Sequence, residues 1–210
     1  MSRISDNQLL PLTNHGVKSM SMGYLLPSSS SPVVWRGLMV MKALQQLLHE
    51  VDWGGLDVLV LDLPPGTGDT QLTITQQVEL DGAVIVSTPQ DLALLDAIKG
   101  VNMLKKVDVP ILGMVQNMSW FVCSGCGQGT HIFGGSGAEG DEVGGVPTAC
   151  KQNGIDFLGD VPLHPRICRD ADRGWPTVVG EPGSQRAKAF EEIAERVADK
   201  VGLDLGPGNG

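Results

Sequence analysis

Two cysteines, Cys123 and Cys126, lie in the sequence Cys-Ser-Gly-Cys, within a glycine-rich segment. Two thiolates at this spacing can hold one metal from a single turn of the chain. The spacing alone leaves three chemistries open: half of a structural zinc site, a redox dithiol, or ligands of an iron–sulfur cluster. A redox dithiol needs a cysteine at a helix N-terminus, where its pKa falls. The residues that follow, GQGTHIF, do not have a helical pattern, which disfavours that alternative.

A structural zinc site would need further ligands beside the cysteine pair. The sequence offers Cys150, Cys168, His131 and His164 for this purpose. The histidines show no metal-ligand spacing among themselves, so we expect structural roles for them.

A carboxylate, Asp62, follows an apolar run in the sequence DVLVLDLPPGTGD of residues 57–69. A strand would place Asp62 near its carboxyl end, where α/β sheets bind ligands and where Mg²⁺ can lie beside nucleotide phosphates. Pro64 and Pro65 stiffen the exit, and Gly66 and Gly68 allow backbone amides to turn toward an anion. The plainer alternative is a strand that ends in a Pro-Gly turn with a solvated aspartate.

An amide side chain, Asn117, ends another apolar run. An amide donates and accepts hydrogen bonds at once, which matches the edge of a purine. On its own, an asparagine after a strand is more often a turn former.

Three apolar runs predict the strands that would position these side chains. Their nearly continuous hydrophobicity is typical of parallel strands covered on both faces. The predicted strands are Asp57–Leu63, Ala83–Thr88 and Ile111–Asn117.

Helical spacing between and after these runs predicts three helices, at Trp35–Val51, Asp91–Lys106 and about Ser184–Val201. The alternation predicts a doubly wound, mostly parallel α/β sheet with helices on both faces. In the second helix, Asp91 or Thr88 is the expected cap, and the expected inner face carries Leu92, Leu95, Ile98, Val101, Met103 and Leu104. In the last helix the expected inner residues are Phe190, Ile193, Val197 and Val201.

The chain has 210 residues and a formal charge of −9. This length is enough for one domain, which we place at residues 1–201, with a flexible tail at 202–210. The negative charge disfavours nucleic acid and anionic membranes as partners. No apolar run approaches the ~18 residues of a membrane span.

The sequence DLPPGTGD resembles the Walker B and switch II segment of the Mrp-type P-loop ATPases that carry iron–sulfur clusters. The resemblance extends from about residue 5 to about residue 200. Within the family the sequence is most similar to mitochondrial members that supply clusters for respiratory complex I assembly. The other segments that carry it are NHGVKSMSMGYLL, WRGLMVMKALQQLL, VSTPQDLALLDAIKGV and GDVPLHPRI.

This resemblance implies a binding site for ATP with Mg²⁺. It implies that Asp62 supports Mg²⁺ and that Gly66 faces the γ-phosphate. It also implies that Asn117 binds the adenine edge and that the backbone of Val161–Leu163 packs on the base. The implied nucleotide-binding residues are Asp62, Pro65, Gly66, Gly68, Asn117 and Pro162.

The same resemblance implies that Cys123 and Cys126 bind a [4Fe–4S] cluster between two subunits of a homodimer, which passes the cluster to apo iron–sulfur proteins. Cys150 and Cys168 lie outside the family motif and are expected to be ordinary thiols. The alternative is a zinc-binding or dimerisation module derived from the same family. The implied compartment is the mitochondrial matrix, with the cytoplasm as the alternative.

The sequence departs from the family because it contains no G-x-x-x-x-G-K-[ST] motif. In the family this P-loop precedes the segment that begins here near Ile4. We therefore expect a P-loop NTPase fold of the SIMIBI type that is N-terminally incomplete and lacks a central strand. Such a chain is expected to be aggregation-prone or only loosely packed. Since the P-loop provides most of the contacts to the phosphates, little or no ATPase activity is expected.

Overall fold

A computed structural model describes residues 4–5, 8–25, 37–63, 69–123, 125–133 and 144–205. These residues form two compact units, Met1–Val78 and Glu79–Gly210. That both units belong to one domain stays a prediction.

In its described residues, the first unit contains two short antiparallel hairpins, two α-helices and a 3-10 helix at Met22–Leu25. The two-residue turn of the second hairpin has positive φ at both His15 and Gly16, which matches the twist of the flanking strands. Helix α1 confirms the helix predicted at Trp35–Val51 over its described residues, and it ends at His49. Trp35 lies outside the described residues. The elements are β1 (Ile4–Ser5), β2 (Gln8–Leu9), β3 (Leu12–Asn14), β4 (Val17–Ser19), α1 (Gly37–His49) and α2 (Asp69–Gln77).

The strand predicted at Asp57–Leu63 is wrong for this structure, which has no regular secondary structure there. A strand needs hydrogen bonds to a neighbour, and no backbone hydrogen bond joins this run to another described residue. Its apolar side chains are consequently not buried. Val58 and Leu59 are exposed, and Val60 is 82% exposed.

The second unit is a parallel sheet with helices on both faces. Strand β6 lies at its centre, between β5 and β9, and both pairs are parallel. The predicted strands Ala83–Thr88 and Ile111–Asn117 are confirmed, whereas β9 was not predicted. The strands are β5 (Ala83–Ser87), β6 (Ile111–Asn117), β7 (Phe121–Val122), β8 (Gly129–Thr130) and β9 (Phe157–Val161), and the helices are α3 (Asp91–Lys106), α4 (Val146–Asn153), α5 (Pro165–Asp172), α6 (Thr177–Gly180) and α7 (Gln185–Val201).

Two apolar clusters cover the two faces of this sheet. On one face Met114 of β6 packs with Val101 of α3 and with Val146 and Cys150 of α4. On the other face lie Val115, Leu158 and Val161, against which Ile167 of α5 and Phe190, Ile193 and Val197 of α7 pack. The doubly wound arrangement is thus confirmed, as are three of the four inner residues predicted for α7.

The inner face predicted for α3 is partly wrong. Leu92 and Leu95 are exposed, while Leu94, Ala97 and Ile98 pack against the core. Leu94 and Leu95 are adjacent in an apolar sequence, so two overlapping helical stripes exist and only packing against the sheet decides between them. The expected cap is also wrong. Gln90 occupies the N-cap position, and its side chain makes no capping hydrogen bond.

None of the helices in the described part of the chain is long and apolar enough to cross a membrane.

Two leucine truncations test this core assignment. Leu158 is 1% exposed, whereas Leu92 is 80% exposed. We expect Leu158→Ala to lower the free energy of unfolding by about 2–5 kcal/mol, because it removes buried methyl groups and leaves a cavity. We expect Leu92→Ala to change that free energy by about 0.5 kcal/mol or less. Urea unfolding of both variants measures this, and equal losses would contradict the assignment.

Strand β5 lies at the edge of the sheet and, among the described residues, pairs with β6 alone. Val86 on this strand is 61% exposed. Unpaired apolar edges template pairing with other chains, so we expect the purified chain to self-associate. Val86→Lys should reduce self-association in sedimentation velocity. Leu205→Lys is the matched control, since Leu205 is 63% exposed and belongs to no strand. Equal effects of the two substitutions would rule out the strand edge as the cause.

Candidate functional site

The candidate site is built at the carboxyl ends of β6 and β9. Asn117 and Val161, the last residues of these strands, are register partners. The structure therefore brings Asn117 next to the segment Val161–Leu163, as the predicted adenine site requires. The side-chain oxygen of Asn117 accepts a hydrogen bond of 2.9 Å from the backbone nitrogen of Met118. This bond leaves the amide NH₂ group available to donate to a ligand.

The chain turns sharply after β6. Met118 has a φ of 56°, in the left-handed region that residues other than glycine seldom adopt. Ser119 then returns to β9, and its backbone nitrogen donates to the oxygen of Val161 at 3.1 Å. The next residue, Trp120, accepts a hydrogen bond of 2.8 Å from the nitrogen of Leu163. These bonds fix the start of the next segment to the end of β9.

That segment is an antiparallel hairpin, β7–β8, with the cysteine pair at its tip. Phe121 pairs with Thr130 and Val122 pairs with Gly129. At the tip, the nitrogen of Cys123 donates to the oxygen of Gln128 at 3.0 Å. The nitrogen of Gly127 donates to the oxygen of Cys123 at 2.8 Å, and Gly127 adopts φ 72. Both cysteines are free thiols. Cys123 is half-buried and Cys126 is exposed.

The hairpin tip favours the thiolate of Cys123. Hydrogen bonds from the backbone of Cys126 and then of Gly125, with a smaller contribution from the side chain of Cys126, lower the pKa of the Cys123 thiol below its usual value. The thiolate is the form that binds metal, so this shift favours binding. Burial has the opposite effect at Cys150, whose pKa is raised to about 11 by desolvation and by the charge of Asp156.

The described residues contain no group of three or more His, Cys, Asp or Glu side chains that could hold a metal ion. The zinc site completed by Cys150, Cys168, His131 or His164 is therefore not formed within the described part of one chain. Cys150 is buried in the apolar core and Cys168 is exposed on α5.

Of the residues predicted to lie at the phosphates, the described part of the chain includes Asp62 alone. Asp62 is exposed and lies in the first unit, at the end of the run that forms no strand. Pro65, Gly66 and Gly68 lie outside the described residues. Pro162, on the adenine side, is buried directly after β9. The roles of all these residues stay predictions.

One structural residue of the site, Gln116, was missed in the sequence. Its side chain is buried, and its amide nitrogen donates to the Asp160 carboxylate at 3.0 Å. Its amide oxygen accepts from the nitrogen of Val146 at 2.9 Å. Gln116 thus ties β6 to β9 and to the first turn of α4. A polar residue near the end of an apolar strand was the only signal in the sequence.

Comparisons with known proteins agree with this fold. A sequence profile described as ParA: NUBPL iron-transfer P-loop NTPase matches residues 1–198. The chain is 53% identical over 195 residues to the Iron-sulfur cluster transfer protein NUBPL of Dictyostelium discoideum, covering 93% of this chain and 58% of that protein. It is also 50% identical over 192 residues to an Arabidopsis thaliana protein named Iron-sulfur protein required for NADH dehydrogenase, mitochondrial. That match covers 91% of this chain and 58% of the Arabidopsis protein.

Solved structures give the same class. A nucleotide-binding protein of Archaeoglobus fulgidus in complex with ADP matches with a TM-score of 0.65 at 31% identity, covering 92% of this chain and 68% of that one. The cell division ATPase MinD of Pyrococcus furiosus matches with a TM-score of 0.51 at 22% identity, covering 76% of this chain and 57% of that one. At this low identity the match shows the fold alone.

The fold is thus that of an α/β P-loop NTPase. The chain belongs to the ParA family of NUBPL-type iron-transfer P-loop NTPases, which confirms the family resemblance seen in the sequence. The chain spans 58% of the length of its Dictyostelium and Arabidopsis relatives.

Alkylation distinguishes the two kinds of thiol. We expect iodoacetamide at neutral pH to modify Cys123 rapidly and Cys150 hardly at all, because the first has a lowered pKa and the second is buried with a pKa of about 11. As pH rises, the rate at Cys123 should reach half its maximum below the ordinary thiol value of 9.0. Mass spectrometry of digested protein measures both rates. Urea should make Cys150 reactive, and rapid modification of Cys150 without urea would contradict its burial.

Proposed function

We propose that this chain is an iron–sulfur cluster carrier. In this proposal Cys123 and Cys126 bind a [4Fe–4S] cluster, which is the cargo, and deliver it to apo iron–sulfur proteins. The observation that carries the proposal is the cysteine pair at a solvent-facing hairpin tip, where hydrogen bonds lower the pKa of Cys123. The names of the relatives support the choice of cargo.

A second copy of the chain would complete the cluster site. A [4Fe–4S] cluster usually takes four thiolates, and each chain offers two at ligand spacing. Since the described residues provide no third metal ligand beside them, the remaining two come from a partner. A two-fold axis through the cluster makes the contact isologous. Trp120, Phe121 and Val122 directly precede the pair and are half-buried, and Ile132 on the returning limb is exposed. Apolar residues near the pair suit such a contact.

We further propose a nucleotide site for ATP with Mg²⁺, as the family resemblance implies. Asn117 would donate to the adenine edge and Pro162 would pack on the base, an arrangement supported by the pairing of β6 with β9. Asp62 would support Mg²⁺, and Pro65, Gly66 and Gly68 would lie at the phosphates. Because this sequence contains no P-loop motif, the chain itself should hydrolyse little or no ATP.

The recipients that we propose are apo-proteins of respiratory complex I in the mitochondrial matrix. The name of the Arabidopsis relative, which contains NADH dehydrogenase and mitochondrial, supports this choice. Bacterial relatives, such as the Iron-sulfur cluster carrier protein of Escherichia coli at 46% identity over 193 residues, support the cytoplasm as the alternative.

Anaerobic reconstitution with iron and sulfide tests the proposal. We expect about two iron and about two acid-labile sulfide atoms per chain, since one four-iron cluster is shared by two chains. Cys123→Ala and Cys126→Ala should each abolish iron and sulfide uptake, whereas Cys168→Ala, which removes an exposed thiol outside the pair, should leave it unchanged.

In the Val86→Lys variant, where association through the β5 edge is reduced, sedimentation velocity should show a dimer when the cluster is loaded and a monomer when it is not. Zinc bound without sulfide, and no uptake of iron, would favour the alternative of a zinc-binding module. Equal loss of iron from the Cys123, Cys126 and Cys168 variants would contradict the shared site.

A further inference from the structure

The hairpin that carries the cysteine pair is too short to hold its own shape. Each of its strands, β7 and β8, has two residues. An isolated two-stranded hairpin is marginally stable at best in water. The position of Cys123 and Cys126 therefore depends on what fixes the base of the hairpin to the sheet.

The outgoing limb is fixed to the sheet through Ser119. This residue is buried, and both its backbone nitrogen and its hydroxyl donate to the oxygen of Val161, at 3.1 Å and 3.2 Å. The hydrogen bond from Leu163 to Trp120 adds a further connection. Ser119 is thus held rigidly at the end of β9.

The returning limb reaches this anchor through His131. Its Nδ1 atom lies 2.8 Å from the backbone oxygen of Ser119. A carbonyl oxygen only accepts, so Nδ1 must carry the hydrogen. In the described part of this limb, residues 129–133, no hydrogen bond other than this one and those of the β7–β8 ladder is seen.

We propose that His131 is a positioning residue for the cysteine pair. By donating to Ser119, it closes the base of the hairpin and transmits the rigidity of β9 to both cysteines. This inference rests on the proposed function, in which the pair holds a cluster. It assigns His131 no contact with the cargo.

Three substitutions separate the Nδ1 hydrogen bond from the bulk of the ring. His131→Asn keeps an N–H donor near the Nδ1 position, His131→Gln moves the donor to the Nε2 position, and His131→Leu removes it. After reconstitution, loss of the cluster to a chelator is followed by absorbance. A hydrogen bond of ordinary strength predicts loss about two- to twelvefold faster in the Gln and Leu variants. The Asn variant should stay close to the parent.

A second readout needs no cluster. Hydrogen exchange of the metal-free chain, followed by mass spectrometry, should accelerate in peptides of residues 120–131 for the Gln and Leu variants. In the Gln and Leu variants, peptides of β6 should exchange at the rate of the parent. In the Asn variant, all peptides should exchange at the rate of the parent. His49→Leu, at an exposed histidine that ends α1, is the control and should change neither readout.

Equal hydrogen-exchange rates at the hairpin in the parent, the Asn variant and the Gln variant would overturn the inference. An Asn variant whose hairpin exchanges as fast as that of the Gln variant would also overturn it. If the parent chain takes up no iron, the proposed function is contradicted, but the inference about His131 is not. The exchange result would then decide alone whether His131 positions the hairpin.

Discussion

The burial of β6 on both of its faces is the constraint on which the second unit depends. Met114 and Val115 are neighbours in the chain, and each belongs to a different apolar cluster because strand side chains alternate. Helices α3 and α4 are held on one side of this strand, and α5 and α7 on the other. Asn117, the last residue of the strand, and Ser119, two residues further on, therefore have fixed places at its carboxyl end.

The sequence predicted β6 and α3 to the residue because their patterns are long and their surroundings supply the partners that the patterns require. The run Asp57–Leu63 is equally apolar, yet it forms no strand. Hydrophobicity reports that a segment is suited to burial, but a sheet also needs a neighbour with free hydrogen-bonding groups. That second condition is a property of the assembled chain and cannot be read from the run itself.

The cysteine pair could be found from spacing because its chemistry is local. The groups that support it could not, since each acts across a distance in sequence. Gln116 joins Asp160 and Val146, and His131 reaches Ser119. Strand β9 was missed for a related reason. It is five residues long and contains Gly159 and Asp160, so its apolar signal is weak until β6 is placed beside it.

The placement of the cysteine pair at the tip of a hairpin, away from both apolar clusters, has a kinetic consequence. Cys126 is exposed, so a thiol of another protein can approach without opening the sheet. In the proposed function, metal bound there would be exchanged associatively, with each new metal–sulfur bond made before an old one breaks. Handover by that route would cost the protein no unfolding, and its rate would be set by the incoming ligand.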